Sequence, residues 1–465
     1  MENVSSEEET IVAVATPPGR GGIGIVRLSG AEAVAIASPL LSLNRPLAAG
    51  QARFAKILDR QTGAVLDEAV VTYFAAPHSY TGEDVVEIAA HGAPVLMEYL
   101  LRQACELGAR PAEPGEFTQR AFLAGRLDLT QAEAVQELID SSTLEQARTA
   151  AQQLGGALSR QVRPVKERLV LLIAGLEAGI DFAEDDIEVM PAVDVQSAID
   201  AVKTPIVGLE RGFAYGRVLR EGFRLALVGR PNAGKSSLFN RLLARDRAIV
   251  TATPGTTRDL IAERASFGGI PVELMDTAGL RESVPDEAER LGIARSREAM
   301  AEAEVLLLVA DATVALSAEE ETILRQAGPR SLILVLNKMD LMEDQSSAAL
   351  RSLEGMGLET LPTMVQTSAV TGQGVEELRQ AILDQLAVAA PAEGSVTVTN
   401  LRQQQALRET LRALDAASAA VERGTPHEMV LLDLYAALTE LDGLTGATTS
   451  DDILHLIFSR FCIGK

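Results

Sequence analysis

The sequence predicts a chain of mixed α/β and α class, in which a small α+β domain precedes a discontinuous helical domain with a mostly parallel α/β domain inserted into it. Three observations predict this fold. Short β-type runs and Gly/Pro turns fill residues 11 to about 124, strand and helix patterns alternate from 223 to about 386, and helical spacing flanks that alternating segment on both sides. We therefore expect boundaries that divide the chain into 1–124, 125–220, 221–387 and 388–465, the second and fourth segments forming one domain.

In the first two segments, apolar runs predict strands and then helices. The predicted strands are Ile11 to Ala15, Ile23 to Leu28, Ala69 to Phe74 and Val85 to Ala90. The texture changes at Thr130, where Thr130-Gln-Ala-Glu133 predicts a capping box at a helix start. Helical spacing then continues towards Ile180, with interruptions expected at Gly155-Gly156 and Pro164, and a further helix is predicted from 193 to 220.

The third segment predicts a parallel sheet with helical crossovers, because its strands are short runs of buried type. These strands are Leu225 to Val228, Val272 to Met275, Val305 to Ala310, Leu332 to Leu336 and Thr363 to Thr367. After a linker around Pro391 to Ser395, long helices are predicted from Asn400 to Arg423, with Gly424 as the cap, and from about Glu428 to Leu441.

Composition excludes several classes of protein. The net charge of −23 argues against a protein that grips nucleic acid alone, so any RNA contact is expected to be shared with a partner or confined to a local patch. Two cysteines cannot build a disulfide framework or a zinc site. The first ten residues are acidic, and no apolar run is long enough to span a bilayer. We expect a cytoplasmic protein with neither a membrane nor DNA as partner.

The most informative motif is Gly229-Arg-Pro-Asn-Ala-Gly-Lys-Ser236, which directly follows the apolar run Phe223 to Val228. Glycines let successive N–H groups point at phosphate oxygens, Lys235 reaches the terminal phosphates, and Ser236 offers a hydroxyl to Mg²⁺. The alternative is an ordinary Gly/Pro turn between two elements. The residues expected to bind the nucleotide here are Asn232, Ala233, Gly234, Lys235, Ser236 and Ser237.

Two further motifs follow at later strand ends and favour a phosphate-binding loop over a turn. Asp276-Thr-Ala-Gly279 places a carboxylate near Mg²⁺ and an N–H near the γ-phosphate. In Asn337-Lys-Met-Asp340, the Asp340 carboxylate can accept two hydrogen bonds from guanine, whereas adenine presents an acceptor there, so discrimination can reach about 10⁴-fold. Backbone N–H groups at Ser368-Ala369 complete the base pocket. The expected base and phosphate ligands are Asp276, Thr277, Ala278, Gly279, Asn337, Lys338, Asp340, Ser368 and Ala369.

The loop between the first two motifs supplies a candidate Mg²⁺ ligand. Its residues Thr251, Ala252, Thr253, Pro254, Gly255, Thr256 and Thr257 are expected at the nucleotide, with the Thr257 hydroxyl on Mg²⁺; alternatively, the threonines only cap turns. Leu280 follows Gly279 where Ras-like switches carry a water-orienting Gln. Hydrolysis therefore needs another polar residue and another source of positive charge.

These motifs resemble those of several GTPases, but matches outside them are specific to one family. Thr16-Pro-Pro-Gly-Arg-Gly-Gly-Ile-Gly-Ile25, Ser79-Tyr-Thr-Gly-Glu-Asp84, Arg110-Pro-Ala-Glu-Pro-Gly-Glu-Phe-Thr118 and Phe461-Cys-Ile-Gly-Lys465 are similar to the MnmE (TrmE) family. The resemblance covers essentially the whole length of the chain. It identifies the first domain as folate-binding and the inserted domain as a P-loop (Ras-like) GTPase.

The resemblance implies a homodimer formed through the N-terminal domain, with the GTPase domains meeting across it. It also implies a heterotetramer with an FAD-dependent partner, MnmG, and a tRNA uridine-5-carboxymethylaminomethyl modification at the wobble position. The one-carbon unit would come from 5-formyl- or methylene-tetrahydrofolate, and the FAD would be on the partner. K⁺ would stand in for an arginine finger.

Site residues implied by the resemblance are carried over position by position. Asn232, Thr251, Thr253 and Thr256 would hold K⁺, while Ser236 and Thr257 would hold Mg²⁺. Glu289 would orient the attacking water, although an exposed helix carboxylate is the plain alternative. Arg27, Glu87, Arg126 and Lys465 would bind folate, with Arg126 standing where some relatives carry Lys. Cys462 would act in modification, chemically or only as a small buried hydrophobe.

Two other functions remain open from the residues. A GTP-dependent assembly switch, such as a ribosome-maturation factor, would have no modification chemistry, but such factors usually carry a basic RNA-binding module. No such module is evident in this acidic sequence. A folate-dependent one-carbon enzyme with a regulatory GTPase would modify its substrate without a flavoprotein partner.

Overall fold

The computed structural model describes residues 9–181, 190–243, 262–276, 303–326, 331–342, 347–358, 361–385, 396–448, 451–459 and 461–464. The strands are β1 Ile11–Val14, β2 Gly21–Ser29, β3 Leu41–Ser42, β4 Ala52–Leu58, β5 Val65–Phe74, β6 Val85–Gly92, β7 Arg110–Pro111, β8 Phe223–Val228, β9 Ala262–Phe267, β10 Ile270–Asp276, β11 Val305–Asp311, β12 Ser331–Asn337 and β13 Thr363–Gln366.

The α-helices are α1 Ala33–Ala37, α2 Pro94–Glu106, α3 Glu116–Leu123, α4 Leu129–Asp140, α5 Leu144–Leu154, α6 Ala157–Asp181, α7 Ala192–Glu221, α8 Lys235–Leu243, α9 Ala318–Gln326, α10 Ala348–Gly355, α11 Val375–Gln385, α12 Leu401–Glu422, α13 His427–Thr445 and α14 Asp451–Phe458. Short 3-10 helices lie at Ser38–Leu40 and Met339–Leu341. The chain forms two compact units. The first comprises Met1–Gln136, Gln153–Lys203 and Glu409–Lys465, and the second comprises Glu137–Gln152 and Thr204–Arg408.

The first unit contains a seven-stranded sheet in the order β3-β4-β5-β6-β2-β1-β7, antiparallel except for the β1–β7 pair. Helices α1 and α2 pack on one face, where alternate strand residues such as Val71 and Ile88 are buried. On the other face, the solvent exposure of the side chains differs between the two ends of the sheet. Phe54 and Val70 at one end are 64% and 46% exposed, whereas Ile11 at the other end is buried in a cluster with Phe117.

The helices of this unit confirm some expected boundaries and correct others. Helix α6 packs along α13, and it continues through Pro164 without the predicted interruption. The predicted capping box at Thr130-Glu133 is wrong. Asp128 Oδ1 accepts from the Gln131 N–H at 2.9 Å, and Gln131 Oε1 accepts from the Asp128 N–H at 3.0 Å, so the reciprocal pair lies two residues earlier.

The second unit contains a six-stranded sheet in the order β13-β12-β11-β8-β10-β9. Every neighbouring pair is parallel except β9–β10, an antiparallel edge that the sequence pattern did not reveal. Apolar clusters cover both faces of the sheet, as continuous apolar strands require. The expected fold class, with its N-terminal domain, helical domain and inserted P-loop domain, is confirmed. Among the described residues, no helix is long and apolar enough to cross a membrane.

Candidate functional site

The loop after β8 has a main-chain shape that only glycine allows at two positions. Gly229 has a φ of +140° and Gly234 a φ of +95°. A Cβ on Gly229 would lie 2.2 Å from the Val309 carbonyl oxygen, and one on Gly234 would lie 2.2 Å from Asn337 Nδ2. Asn232 also lies in the left-handed region, with a φ of 62°. The loop therefore curls tightly before α8 begins at Lys235.

Lys235 closes this loop from the inside. Its Nζ donates to the carbonyl oxygens of Gly229 and Arg230, each at 2.8 Å, and the residue is only 7% exposed. Ser236 and Ser237 follow in the first turn of α8, and both are exposed, unlike buried Lys235. A buried cation beside a helix N-terminus favours an anionic ligand, because the helix dipole and the ammonium charge act in the same direction.

Asn337, at the end of β12, ties this loop to the segment after β13. Its Nδ2 donates to the Ala233 carbonyl at 2.9 Å, while its Oδ1 accepts from the Ala369 N–H at 3.0 Å and from Thr367 Oγ1 at 3.3 Å. The side chain is 1% exposed. Three segments that the motifs assigned to one ligand are thus held by one buried amide.

Asp340 lies beside Ser368, whose Oγ donates to Asp340 Oδ1 at 2.5 Å. The same Ser368 Oγ accepts from the Thr371 N–H at 3.1 Å. Arg241 of α8 donates to the carbonyls of Ala369 and Val370 at 3.2 and 2.5 Å. The predicted base-binding residues are therefore together, and the helix that follows the phosphate loop fixes their position.

Asp311 is a further polar residue of this region that sequence reasoning missed. Lys338 Nζ donates to Asp311 Oδ2 at 2.8 Å, and Arg230 lies 4.0 Å from the same oxygen. Burial acts to raise the pKa of Asp311, but the hydrogen bonds from Lys338 and Thr313 outweigh it and hold that pKa below its usual value. Its position could have revealed it, because Asp311 ends a parallel strand as Asp276 and Asn337 do.

Several predicted residues lie outside the described part of the chain. They are Thr251, Ala252, Thr253, Pro254, Gly255, Thr256, Thr257, Thr277, Ala278, Gly279, Leu280, Glu289 and Lys465. Asp276 is described only through its backbone, which ends β10 opposite Leu227 of β8. Among the residues whose positions are given, no group of three His, Cys, Asp or Glu side chains could hold a metal ion.

In the N-terminal sheet, Arg27 and Glu87 form a cross-strand pair on the face opposite α1 and α2. They are register partners of β2 and β6, and Arg27 Nε lies 2.8 Å from Glu87 Oε1. Arg27 also donates to the Gly464 carbonyl at 3.2 Å, and its guanidinium lies 5.6 Å from the centre of the Phe117 ring. The penultimate residue of the chain is thus part of this site.

Arg126 and Cys462 are both exposed. The side chain of Arg126 lies against the loop after β5, where its Cγ would be 3.7 Å from a Cβ placed on Gly82. Cys462 lies between Phe461, which is buried, and Ile463, which forms an isolated β-bridge with Pro114. The interpretation of Cys462 as a buried small hydrophobe is wrong, because its side chain is exposed.

Sequence reasoning also missed a cluster of charged residues in the N-terminal domain, which contains the Arg27–Glu87 pair. Arg120, 7% exposed, lies 3.1 Å from Glu83 and 2.9 Å from Glu116, and Arg110 lies 2.6 Å from Glu116. Burial acts to raise the pKa of Glu116, but hydrogen bonds from Arg110, the Glu113 N–H and Arg120 hold it below its usual value. The opposite charges in the two N-terminal motifs were a signal for this cluster.

Comparison with known proteins gives matches over nearly the whole chain. A family model described as the MnmE helical domain matches residues 129–462, and one described as the GTP-binding protein TrmE N-terminus matches residues 10–126. A tRNA modification GTPase MnmE from Koribacter versatilis (strain Ellin345) is 55% identical over 462 residues, covering 98% of this chain and 99% of that protein. One from Symbiobacterium thermophilum is 44% identical over 463 residues, covering 98% and 100%.

A solved structure also matches part of the chain. The crystal structure of a singly substituted Era from Aquifex aeolicus, bound to GDP·AlF4⁻, is 27% identical and covers 41% of this chain and 66% of its own. Its TM-score is 0.30, which is too low to support any conclusion.

Proposed function

Since the chain belongs to the MnmE family of tRNA modification GTPases, we propose that it hydrolyses GTP in the service of modifying carbon 5 of the wobble uridine in certain tRNAs. The observation that carries the nucleotide part is the buried Asn337 amide. It joins the carbonyl of Ala233, in the phosphate loop, to the N–H of Ala369, in the base-binding segment.

Each part of the nucleotide has residues suited to it. The N–H groups of the loop from Asn232 to Ser237 would surround the phosphates, with Lys235 supplying positive charge. Asp340 would accept hydrogen bonds from guanine, and its contact with Ser368 supports a fixed carboxylate orientation. A carboxylate held in this way penalises adenine, which has no matching donors.

Two cations would assist hydrolysis. Ser236 and Thr257 would hold Mg²⁺, and the position of Ser236 in the first turn of α8 fits a hydroxyl ligand there. Asn232, with Thr251, Thr253 and Thr256, would hold K⁺. These ions would supply positive charge to the phosphates and so offset the negative charge that develops in the transition state. Replacing K⁺ with Na⁺ should strongly slow turnover, and equal rates in both salts would exclude the potassium role.

The water-orienting group would be Glu289, because Leu280 cannot make hydrogen bonds. Glu289→Ala should lose turnover and keep nucleotide affinity. A parallel loss of binding would instead assign Glu289 a structural role.

For folate, we propose Arg27, Glu87, Arg126 and Lys465 as ligands. The cations would pair with glutamyl carboxylates, and Glu87 would accept hydrogen bonds from the pterin ring. The fit is supported by the position of Arg27 and Glu87, which lie partly exposed on the sheet face that α1 and α2 leave uncovered. Bound 5-formyl- or methylene-tetrahydrofolate would supply the one-carbon unit. Cys462 would act beside it, since its exposure and the Arg27–Gly464 contact bring the chain end to this site.

The proposal also includes two protein partners. A homodimer would form through the N-terminal domain, and the exposed Phe54 and Val70, which are register partners on neighbouring strands, offer apolar area for it. Phe54→Asp should then lower the sedimentation mass to that of a monomer, while Val193→Asp, at a 78% exposed helix position, should not. The flavoprotein MnmG would complete a heterotetramer that receives the tRNA in the cytoplasm.

The decisive test of the nucleotide proposal is base specificity. Asp340→Asn should weaken GTP binding about 100-fold and improve XTP binding, because an amide can donate to the extra carbonyl of xanthine. Asp384→Asn is the matched control, since Asp384 is a helix residue of the same unit whose Oδ1 accepts a hydrogen bond from Gln380 one turn earlier. A wild-type chain that prefers ATP, or an Asp340→Asn variant that keeps its preference for GTP, would overturn the proposal.

The modification itself is tested in cells. Nucleoside analysis of tRNA from a strain that lacks the chain should show loss of the wobble modification, restored by the wild type. Complementation with Cys462→Ser should leave GTP hydrolysis intact and fail to restore the modification. Fully modified tRNA in that strain would remove Cys462 from the chemistry.

A further inference from the structure

The loop of residues 79–84 contacts two regions of the candidate folate site, one near Arg126 and one near Phe117, on which Arg27 packs. At its centre, Gly82 lies close to the Arg126 side chain. Two residues earlier, the Tyr80 hydroxyl lies 3.0 Å from Thr118 Oγ1. Thr118 directly follows Phe117, over whose ring the Arg27 guanidinium lies. The loop therefore lies beside Arg126 and is bonded to the helix whose Phe117 ring carries Arg27.

Tyr80 itself is anchored at one end and accessible at the other. The residue is 37% exposed although its hydroxyl is bonded to the fully buried Thr118. Burial raises the pKa of Tyr80, while the Thr118 hydrogen bond and the positive charge of Arg27 act against that rise. The Tyr80 hydroxyl is thus bonded to the residue next to Phe117, on whose ring the Arg27 guanidinium packs.

Buried polar contacts fix the loop that carries Tyr80. Glu83 accepts from Arg120 at 3.1 and 3.2 Å and from Ser29 Oγ at 2.6 Å. Thr81 is fully buried, and its Oγ1 lies 2.7 Å from Ser29 Oγ. A side chain on a loop held in this way binds a ligand with little further loss of conformational entropy.

We propose that Tyr80 is a further ligand-contacting residue of this site, and that its ring packs against the flat pyrimidine half of the reduced pterin in the tetrahydrofolate derivative. The inference rests on the folate site proposed above. The pyrimidine half of the reduced pterin would donate hydrogen bonds to Glu87 from its edge and leave its flat faces to be covered, and an aromatic side chain of fixed orientation covers such a face by stacking. The hydroxyl, already bonded to Thr118, sets the ring position and is not needed by the ligand.

The first test is equilibrium binding of 5-formyltetrahydrofolate to the full chain, measured by calorimetry. Tyr80→Ala should weaken binding roughly 30-fold, the effect typical of losing one aromatic stacking partner. Tyr80→Phe keeps the ring and should stay within about threefold of the wild type. Tyr435→Ala is the matched control, because Tyr435 is a similarly exposed tyrosine, 43% exposed on α13. The affinity of this variant for 5-formyltetrahydrofolate should equal that of the wild type.

The second test reports on the ring directly. The chain has five tyrosines, so incorporation of 3-fluorotyrosine gives a ¹⁹F NMR spectrum in which Tyr80→Phe identifies the Tyr80 signal. Adding 5-formyltetrahydrofolate should shift that signal and leave the Tyr435 signal in place.

The outcomes separate the inference from its premise. If the wild type binds folate and Arg27→Ala weakens it, an unshifted Tyr80 signal or full affinity in Tyr80→Ala overturns this inference alone. A wild-type chain that binds no folate overturns the proposed folate site and the role of Tyr80 together.

Discussion

The two candidate sites of this chain are built in opposite ways. The proposed nucleotide site is a main-chain cradle, in which consecutive residues from Gly229 to Ser236 form a tight loop and side chains such as Asn337 hold the cradle's shape. The proposed folate site is a side-chain site on an antiparallel sheet face. Arg27 meets there a residue 60 positions away, Glu87, and another 437 positions away, Gly464. A cradle is sensitive to any added Cβ, whereas a side-chain site is sensitive to loss of charge.

The largest effect is expected when a methyl group is added to the main-chain cradle. Gly234→Ala should weaken GTP binding by roughly 3 kcal/mol, on the order of 100-fold, because it adds both a strained φ and a clash with Asn337 Nδ2. Competition against a fluorescent GTP analogue measures this effect. Folate binding should be unchanged.

Gly208→Ala is the control for that experiment. Gly208 lies inside α7, and a Cβ there would meet nothing within 4 Å. Alanine is the better helix former, so the variant should be as stable as the wild type or more stable. If Gly234→Ala bound GTP as well as Gly208→Ala does, the main-chain account of the nucleotide site would be wrong.

The corresponding test at the proposed folate site is removal of the Glu87 charge. Glu87→Gln keeps the side-chain shape and removes the ionic partner of Arg27, so 5-formyltetrahydrofolate should bind about tenfold more weakly, or roughly 1.4 kcal/mol. GTP binding should not change. Glu68→Gln provides the matched control, because Glu68 is an exposed residue of β5, the strand next to β6. Equal losses in the two variants would point to general surface charge.

The same contrast explains what could be predicted from sequence. Most strands of the second unit's sheet could be predicted from their apolar runs. The nucleotide motifs could be recognised because each is a short run of consecutive residues after such an apolar run, and the ligand roles assigned to them stay predictions. The edge strand Ala262–Phe267 was missed, since Arg264 and two glycines after the strand interrupt the apolar pattern. The role of Asp311 was hidden because its partner, Lys338, comes from the next strand end.

In the N-terminal domain, residues could be nominated only through a family resemblance. No local pattern tells that Arg27 and Glu87 are register partners, because strand pairing is set by the whole sheet. The short strand Leu41–Ser42 and the exposed apolar end at Phe54 were likewise not foreseen. The first helix of the second segment was placed correctly, but its cap was assigned to Thr130 when Asp128, the stronger N-cap residue type, stood two positions earlier.

The smallest expected effect concerns the pH dependence of stability in the first unit. The lowered pKa of Glu116 means that its ion pairs stabilise the fold fully above the pKa it has when unfolded, about 4.3. That contribution is lost as the pH falls through the lower pKa of the folded state. Glu116→Gln should therefore reduce the free energy of unfolding by about 1 kcal/mol at pH 7 and by less at pH 3.

Denaturant unfolding of the full chain at the two pH values measures this difference. The unfolding transition of the first unit is identified as the one that moves to higher denaturant concentration when a folate-site ligand is added. Glu113→Gln is the control, because Glu113 is exposed and its backbone N–H, which the substitution retains, is what contacts Glu116. A Glu116→Gln effect that is the same at pH 3 and pH 7 would mean that the hydrogen bonds of Glu116 matter without its charge. The side-chain site would then depend on shape, as the cradle does, and the contrast between the two sites would be lost at this position.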